Sequence, residues 1–193
     1  MIHELIQSRR SPRAFSEKPV ALEILTGLLE AARWAPSCSN EQPWSFIVTA
    51  KPGDDYTRLL SCLVPFNAEW AQQAPVLLLA VARSNFAASG KPNRHAMYDV
   101  GQSMTNLSFQ ATASGLVVHQ MAGFDVEKAR QEFSIPADQE PAAVAAIGYP
   151  GDVATLNEKL RAREAAPRTR KPLHDFVFTG RWGQPAPWIG STK

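Results

Sequence analysis

The chain has 193 residues, and its hydrophobic and charged fractions, 45% and 20%, are ordinary for a globular protein. One domain over residues 1–193 is therefore expected, and the composition argues against a disordered chain. A net charge of +2 does not by itself call for nucleic acid or an anionic membrane as a partner. Two cysteines, no apolar signal stretch and no apolar run long enough to span a bilayer predict a soluble, cytoplasmic protein.

Hydrophobic periodicity predicts helices and strands in alternation, with the class α/β or α+β. Helices are expected over residues 20–34, 56–63, 96–114 and 126–133, and strands over 44–50, 76–82, 116–120 and 142–147. The run at 76–82 is apolar throughout, which is typical of a strand buried on both faces. Gly115 is expected to end the long helix, and Asp125 to cap the next one. Thr155 and Glu158 have the spacing of a capping box.

The last segment, residues 172–193, is apolar but has no periodicity. Its large side chains include Phe176, Phe178, Trp182 and Trp188. A surface of this kind is not expected to remain in water. We therefore expect the segment to cross onto a second copy in a homodimer, with wrapping around its own domain as the alternative.

Several catalytic motifs are missing from the sequence. There is no GxGxxG, no GxxxxGK[ST] and no GxSxG, and the four histidines have no metal-ligand spacing. The sequence therefore predicts no metal site and gives no support to a hydrolase, a kinase or a zinc enzyme.

Basic residues cluster near both ends of the chain. Arg9, Arg10 and Arg13 surround Ser11, and Arg168 and Arg170 form a second cluster beside Lys171. Guanidinium groups match phosphate oxygens in two-point hydrogen bonds, so two such clusters meeting in space would hold a phosphate dianion. Three interpretations stay open from the residues alone: solvated surface charge, a nucleic-acid backbone, or a phosphorylated cofactor.

The segment from Ala31 to Trp44, which joins the first long helix to the first strand, combines small residues, amides and two prolines. Small side chains let backbone N–H groups approach a ligand, and Asn40 and Gln42 can both donate and accept. A helix-to-strand loop tied by amide side chains is the simpler alternative.

Together, six stretches resemble the FMN-dependent nitroreductase family. They are RRSPRAF at 9–15, APSCSNEQPWSFIV at 35–48, DVGQSMTNLSFQATASGL at 99–116, GLVVHQMAGFD at 115–125, AAIGYPGD at 145–152 and RTRKPL at 168–173. The resemblance implies an α+β fold with a central, mainly antiparallel sheet between helices. It also implies an intertwined homodimer with FMN at the subunit interface, in which the C-terminal segment crosses to the partner.

The resemblance further implies a role for each arginine near the chain ends. Arg9 and Ser11 match positions that hold the phosphate and ribityl end of FMN, and Arg10 matches a position used mainly through its backbone. Arg13 matches a position at the N1/C2 edge of the flavin, where a cation stabilises the negative charge of reduced flavin and raises its potential. The C-terminal phosphate ligands would be Arg168 and Arg170, with Lys171 as a bystander.

Other matched residues would surround the flavin ring. Pro36, Ser37, Cys38 and Asn40 match a lining that the partner subunit often donates. Asn67 matches a contact to the pyrimidine ring, and Trp70 stands where some relatives carry a lysine. The segment 121–123 matches one whose backbone N–H groups face flavin N5 and O4; its residues are Met121, Ala122 and Gly123.

The implied activity is a ping-pong transfer of electrons from NADH or NADPH to a nitroaromatic, a quinone or a similar electron-poor acceptor. No catalytic side chain is predicted. The loop over residues 85–98 is expected to choose the substrate through Lys91, Arg94 and Tyr98, with a mobile solvated loop as the alternative. Rival functions are reductive dehalogenation, flavin fragmentation and FMN storage without turnover. Neither nucleic acid nor a membrane is expected as a partner.

Overall fold

A four-stranded antiparallel sheet forms the centre of the computed structural model, which describes residues 2–189. The strand order is β1-β2-β4-β3, with every neighbouring pair antiparallel. The strands are β1 (Trp44–Ala50), β2 (Val76–Arg83), β3 (Val117–Met121) and β4 (Gln139–Gly148). The α+β class and the antiparallel sheet are thereby confirmed.

Seven α-helices surround this sheet within residues 2–189. They are α1 (Glu4–Ser8), α2 (Leu22–Arg33), α3 (Asp54–Ser61), α4 (Pro65–Ala71), α5 (Ala96–Ala113), α6 (Val126–Glu132) and α7 (Glu158–Ala165). The predicted helices α2, α3, α5 and α6 lie within two residues of their expected bounds. As predicted, Gly115 follows α5 with a φ of +73°, and the Asp125 side chain accepts the Lys128 N–H at the start of α6.

Strand β2 separates two apolar layers because its side chains alternate between the faces of the sheet. Leu77 and Leu79 join the layer built with α3, α4, α6 and α7. Leu78 and Ala80 join the layer under α2 and α5. Burial of all four side chains confirms that the strand is covered on both faces.

Two details differ from the sequence-based expectations. Helix α7 is capped by Asn157, whose side chain accepts the Leu160 N–H at 2.9 Å, and not by Thr155. The capping-box prediction was therefore wrong: Thr155 lies in a preceding 3-10 turn and donates to the Asp152 carbonyl. Helices α1 and α4 were not predicted. Five residues are too few to establish a helical period, and α4 lacks the side-chain cap that Asp125 gives the equally short α6.

The C-terminal segment forms a small turn of its own and stays largely uncovered. Phe178 and Pro185 pair in an isolated bridge, and Phe178 lies 5.2 Å from Trp182 between ring centroids. Trp182 and Trp188 are 92% and 74% exposed. Residues 172–189 therefore do not wrap around their own domain, which was the alternative to a dimer contact. Residues 190–193 lie outside the part of the chain that the structure describes.

None of the helices within residues 2–189 has both the length and the apolar character to cross a bilayer.

The cap assignment at α7 is testable by two alanine substitutions. Asn157→Ala should lower the free energy of unfolding by about 1 kcal/mol, because the first turn loses its side-chain acceptor. Thr155→Ala should change it by less than about 0.5 kcal/mol, as expected for a surface position away from a cap. Urea denaturation followed by circular dichroism measures both. A larger loss for Thr155→Ala than for Asn157→Ala would restore the capping box.

Candidate functional site

Three arginines from opposite ends of the chain converge on one cavity. Arg9 directly follows α1, whereas Arg168 and Arg170 lie on the segment after α7. The cavity has a volume of about 480 Å³, and the three arginines line it together with Ile2, Ile6, Gln7 and Phe109. The structure thus brings Arg9 of the first basic cluster to Arg168 and Arg170 of the second, across more than 150 positions of sequence.

Hydrogen bonds to backbone carbonyls hold the two ends of the chain together at this cavity. The Arg168 guanidinium donates to the carbonyl of Gln7 at 2.7 Å and to that of Arg9 at 3.1 Å. Arg9 in turn donates to the Ser11 hydroxyl at 3.0 Å. These contacts position the guanidinium groups but leave their charges without a counter-ion.

The charge at this cavity is uncompensated. Burial, and then the neighbouring Arg168 and Arg170, lower the pKa of Arg9 below its ordinary value. None of the ion pairs among residues 2–189 involves any of these three arginines. Because like charges held together repel, an anion bound here would be stabilised by all three guanidinium groups.

A second, smaller cavity continues from the first, since Arg9 and Phe109 border both. Its volume is about 220 Å³, and Ser11, Thr105, Ser108 and Gln120 supply its polar groups. The Gln120 amide donates to the Ser108 hydroxyl at 3.2 Å. The sequence analysis did not single out Thr105, Ser108 or Gln120, although Gln120 is a polar residue on a strand with two valines and a methionine.

Arg10 and Arg13 contact a different residue, Glu164 on α7. Arg10 donates to the Glu164 carbonyl at 3.3 Å, and Arg13 forms an ion pair with the Glu164 carboxylate at 3.0 Å. Arg10 also borders a separate cavity of about 270 Å³ that includes neither Arg9 nor Ser11. The arginines of the first motif therefore divide between two places, and the flavin contacts expected of Arg10 and Arg13 stay predictions.

The loop between α2 and β1 has an unusual backbone. Ser39, Asn40 and Gln42 adopt positive φ values of 53°, 56° and 48°, a region that costs energy for residues other than glycine. The Ser37 hydroxyl accepts the Gln42 N–H at 3.0 Å, and the buried Asp99 carboxylate accepts the Cys38 N–H at 3.0 Å. The Gln42 side-chain amide also donates to the Asn40 carbonyl at 3.2 Å, so the loop of the simpler alternative, tied in part by an amide side chain, is present in a strained shape.

Within one chain, this loop does not border the arginine cavities. Ser37, Cys38 and Asn40 are absent from the linings of both, whereas Pro36 borders a different cavity of about 410 Å³ over the open face of α5. The flavin contacts expected of these four residues, which the resemblance assigns to a lining that the partner subunit often donates, stay predictions.

The turn after β3 offers two backbone donors. Neither Ala122 nor Gly123 donates its N–H to another residue of the described range 2–189. The Gly123 carbonyl accepts from the Asn67 amide at 3.0 Å and from the Val64 N–H at 3.1 Å, which fixes the turn against α4. Met121 contributes its side chain to the core. The structure thus holds Asn67 beside Gly123, and the separate flavin contacts expected of Asn67 and of residues 121–123 stay predictions.

The loop over residues 85–98 is held by hydrogen bonds within the loop and by one to Glu41. Phe86 donates to the Lys91 carbonyl at 2.8 Å, and the Glu41 carboxylate accepts the Ala87 N–H at 3.0 Å. Lys91 and Arg94 have exposed side chains outside the cavities described above, whereas Tyr98 lines the cavity that contains Pro36. Of the three predicted substrate residues, Tyr98 alone borders one of these cavities.

The Asn67 side chain lies so close to Gly123 that only glycine fits at this position without a shift, and this can be tested. A Cβ atom there would lie 2.6 Å from the Asn67 side-chain nitrogen. Gly123→Ala should lower the free energy of unfolding by about 1–3 kcal/mol, the usual cost of overpacking. Gly27→Ala, where no atom lies within 4 Å, is the control and should gain up to about 1 kcal/mol of helix propensity. Equal stability of Gly123→Ala and the wild type in chemical denaturation would contradict the packing argument.

Comparisons with known proteins agree with this fold. A model of the nitroreductase family matches residues 6–63 and 62–149. A solved oxidoreductase containing FMN superposes with a TM-score of 0.91 at 35% identity, covering 95% of this chain and 94% of the other.

Two relatives of known name align over most of the chain. NADH dehydrogenase of Thermus thermophilus is 29% identical and covers 88% of this chain and 91% of its own. Iodotyrosine deiodinase 1 of Sus scrofa is 26% identical and covers 92% of this chain and 68% of its own. Since the family model spans well over half of the residues, the chain belongs to the nitroreductase family.

Proposed function

We propose that this chain is an FMN-dependent oxidoreductase that takes electrons from NADH or NADPH and passes them to an electron-poor acceptor, such as a nitroaromatic or a quinone, in a ping-pong sequence. The observation that carries the proposal is the uncompensated cluster of Arg9, Arg168 and Arg170 at one cavity. A terminal phosphate supplies the negative charge that this cluster needs.

Residues near the arginine cavity and at the turn after β3 also suit the ribityl chain and the ring of FMN. Beside the arginine cavity, the hydroxyls and the amide of Ser11, Ser108 and Gln120 provide the mixed donors and acceptors that a ribityl chain requires. The turn after β3 provides the unused N–H groups of Ala122 and Gly123, which suit the acceptor atoms on a flavin ring.

Bound FMN would supply the redox chemistry, accepting a hydride equivalent at N5 and returning the electrons to the acceptor. The side chains of this protein bind and orient. Arg9, Arg168 and Arg170 hold the phosphate, and the Ala122 and Gly123 N–H groups donate to the ring. Asn67 keeps the Gly123 turn in place by its bond to the Gly123 carbonyl.

A homodimer is part of the proposal. The open face of α5 carries Met97 and Tyr98, which are 50% and 68% exposed, and Trp34 at the end of α2 is 75% exposed. Together with the uncovered C-terminal segment, these exposed apolar side chains are of the kind that marks an interaction surface. Dimer formation would cover it and would bring the 36–40 loop of one copy toward the arginine cavity of the other.

Reductive dehalogenation is the second candidate, because the alignment to a deiodinase extends over 92% of this chain. Both candidates use the same flavin site and differ in the acceptor. Anaerobic turnover assays that offer a nitroaromatic, a quinone and a halogenated phenol as alternatives distinguish them. Halide release without nitroaromatic or quinone reduction would favour the second candidate.

The phosphate assignment predicts a selective loss of affinity. The double variant Arg9→Ala/Arg170→Ala should weaken FMN binding by about 3–6 kcal/mol, if each charged hydrogen bond contributes roughly 1.5–3 kcal/mol. Riboflavin, which lacks the phosphate, should bind nearly as it does to the wild type. Titration of the apoprotein with each flavin, followed by fluorescence, measures both.

Lys171→Ala is the matched control for this titration, because Lys171 is a neighbouring cation outside the cavity lining. It should leave the FMN dissociation constant within a few-fold of the wild-type value. Undiminished FMN binding by the double variant would overturn the phosphate assignment.

If the C-terminal segment takes part in a dimer, its removal should change the assembly of the protein. Deletion of residues 176–193 should give monomers or insoluble protein, since the apolar surfaces lose the segment that covers them. Size-exclusion chromatography with light scattering measures the mass. A soluble, flavin-binding dimer of the shortened chain would show that the tail has no part in assembly.

A further inference from the structure

Glu164, near the end of α7, is the ion-pair partner of Arg13. The pair joins Arg13 Nη1 and Glu164 Oε1 at 3.0 Å, and the two side chains are only 20% and 10% exposed. An ion pair with so little exposure is screened less by water and salt than one on the surface. Glu164 therefore offsets the Arg13 charge where the pair is largely shielded from solvent.

The Arg13–Glu164 pair lies beside a buried aromatic cluster. The Arg13 guanidinium carbon is 5.9 Å from the centroid of the Trp70 ring. Trp70 is 1% exposed and has Phe15 at 6.2 Å and His119 at 4.4 Å between ring centroids. Burial lowers the pKa of His119 below its ordinary value, so the imidazole is neutral near neutral pH and adds no second cation.

Arg13 nevertheless keeps donors that the pair does not use. Its one side-chain hydrogen bond to a residue in the range 2–189 is the bond to Glu164. Its Nε is buried without a partner. Glu164 thus anchors one terminal nitrogen of the guanidinium and leaves the other terminal nitrogen without a partner in this range.

We propose that Glu164 is a positioning residue for the flavin: through its ion pair it orients Arg13 and neutralises the Arg13 charge, which lowers the midpoint potential of the bound cofactor. This inference rests on the proposed function and on the flavin-edge position that the resemblance implies for Arg13. Trp70, which Arg13 contacts, lies one helical turn after Asn67, whose amide holds the Gly123 turn. An unpaired guanidinium there would favour the negatively charged reduced flavin, whereas a guanidinium paired with a carboxylate favours it less.

The test is the midpoint potential of FMN bound to the wild type and to Glu164→Gln, measured by reduction in the presence of a reference dye. Glu164→Gln keeps the side-chain shape and one acceptor for Arg13 but removes the negative charge. We expect its potential to shift in the positive direction. The control is Glu158→Gln, the same change at an exposed position on the same helix, which should leave the potential at the wild-type value.

A second pair of variants keeps the test decisive if Glu164→Gln folds poorly. Arg13→Gln leaves Glu164 unpaired and should shift the potential in the negative direction. The double variant Arg13→Gln/Glu164→Gln carries no charge at either position, as the neutral pair does, and should return the potential toward the wild-type value. A double variant whose potential stays at the Arg13→Gln value would contradict the proposal.

The outcomes separate this inference from the proposed function. If the wild type binds no FMN, the proposed function fails before the potential is measured. If the wild type binds FMN and Glu164→Gln matches both the wild type and Glu158→Gln in potential, Glu164 has a purely structural role and the inference is wrong. A structural role alone would lower thermal stability without moving the potential.

Discussion

The site depends on three guanidinium groups that are held together although they repel one another. The Arg168 bonds to the carbonyls of Gln7 and Arg9 supply part of the attraction that keeps them close. Burial and mutual repulsion both work against the Arg9 charge, as the direction of its pKa shift shows. A bound anion stabilises an arrangement of this kind, because it relieves the repulsion between the guanidinium groups. That relief adds to the affinity expected for a phosphate.

The fold makes this arrangement possible by bringing both ends of the chain to one side. The sheet is covered on both faces by apolar layers, which leaves β2 and β4 as a rigid frame. The N-terminal segment lies across that frame, with the Ser16 N–H bonded to the Tyr149 carbonyl after β4. The segment after α7 then returns to the same place. Glu164 adds a second connection between the two ends, through the carbonyl that accepts Arg10 and the carboxylate that accepts Arg13.

Local patterns in the sequence predicted most of the framework, because strands such as Trp44–Ala50 and helices such as Ala96–Ala113 carry strong periodicity of their own. Helix α4 was missed because no capping side chain marks its start, whereas Asp125 marks the start of the equally short α6. The same lack of a local signal explains the site. The motifs indicated which residues are chemically suited, but the division of Arg9 from Arg10 and Arg13 is a tertiary contact with Glu164, which no local pattern encodes. Gln120 and Ser108 were missed for the same reason, because they meet only when β3 packs beside α5.

In the proposed site, guanidinium groups from both ends of the chain hold one flavin phosphate. The decisive experiment is a crystal structure of the protein with saturating FMN. The phosphate is expected within hydrogen-bonding distance of Arg9, Arg168 and Arg170. A phosphate bound at another place on the chain, or crystals that take up no flavin, would contradict it.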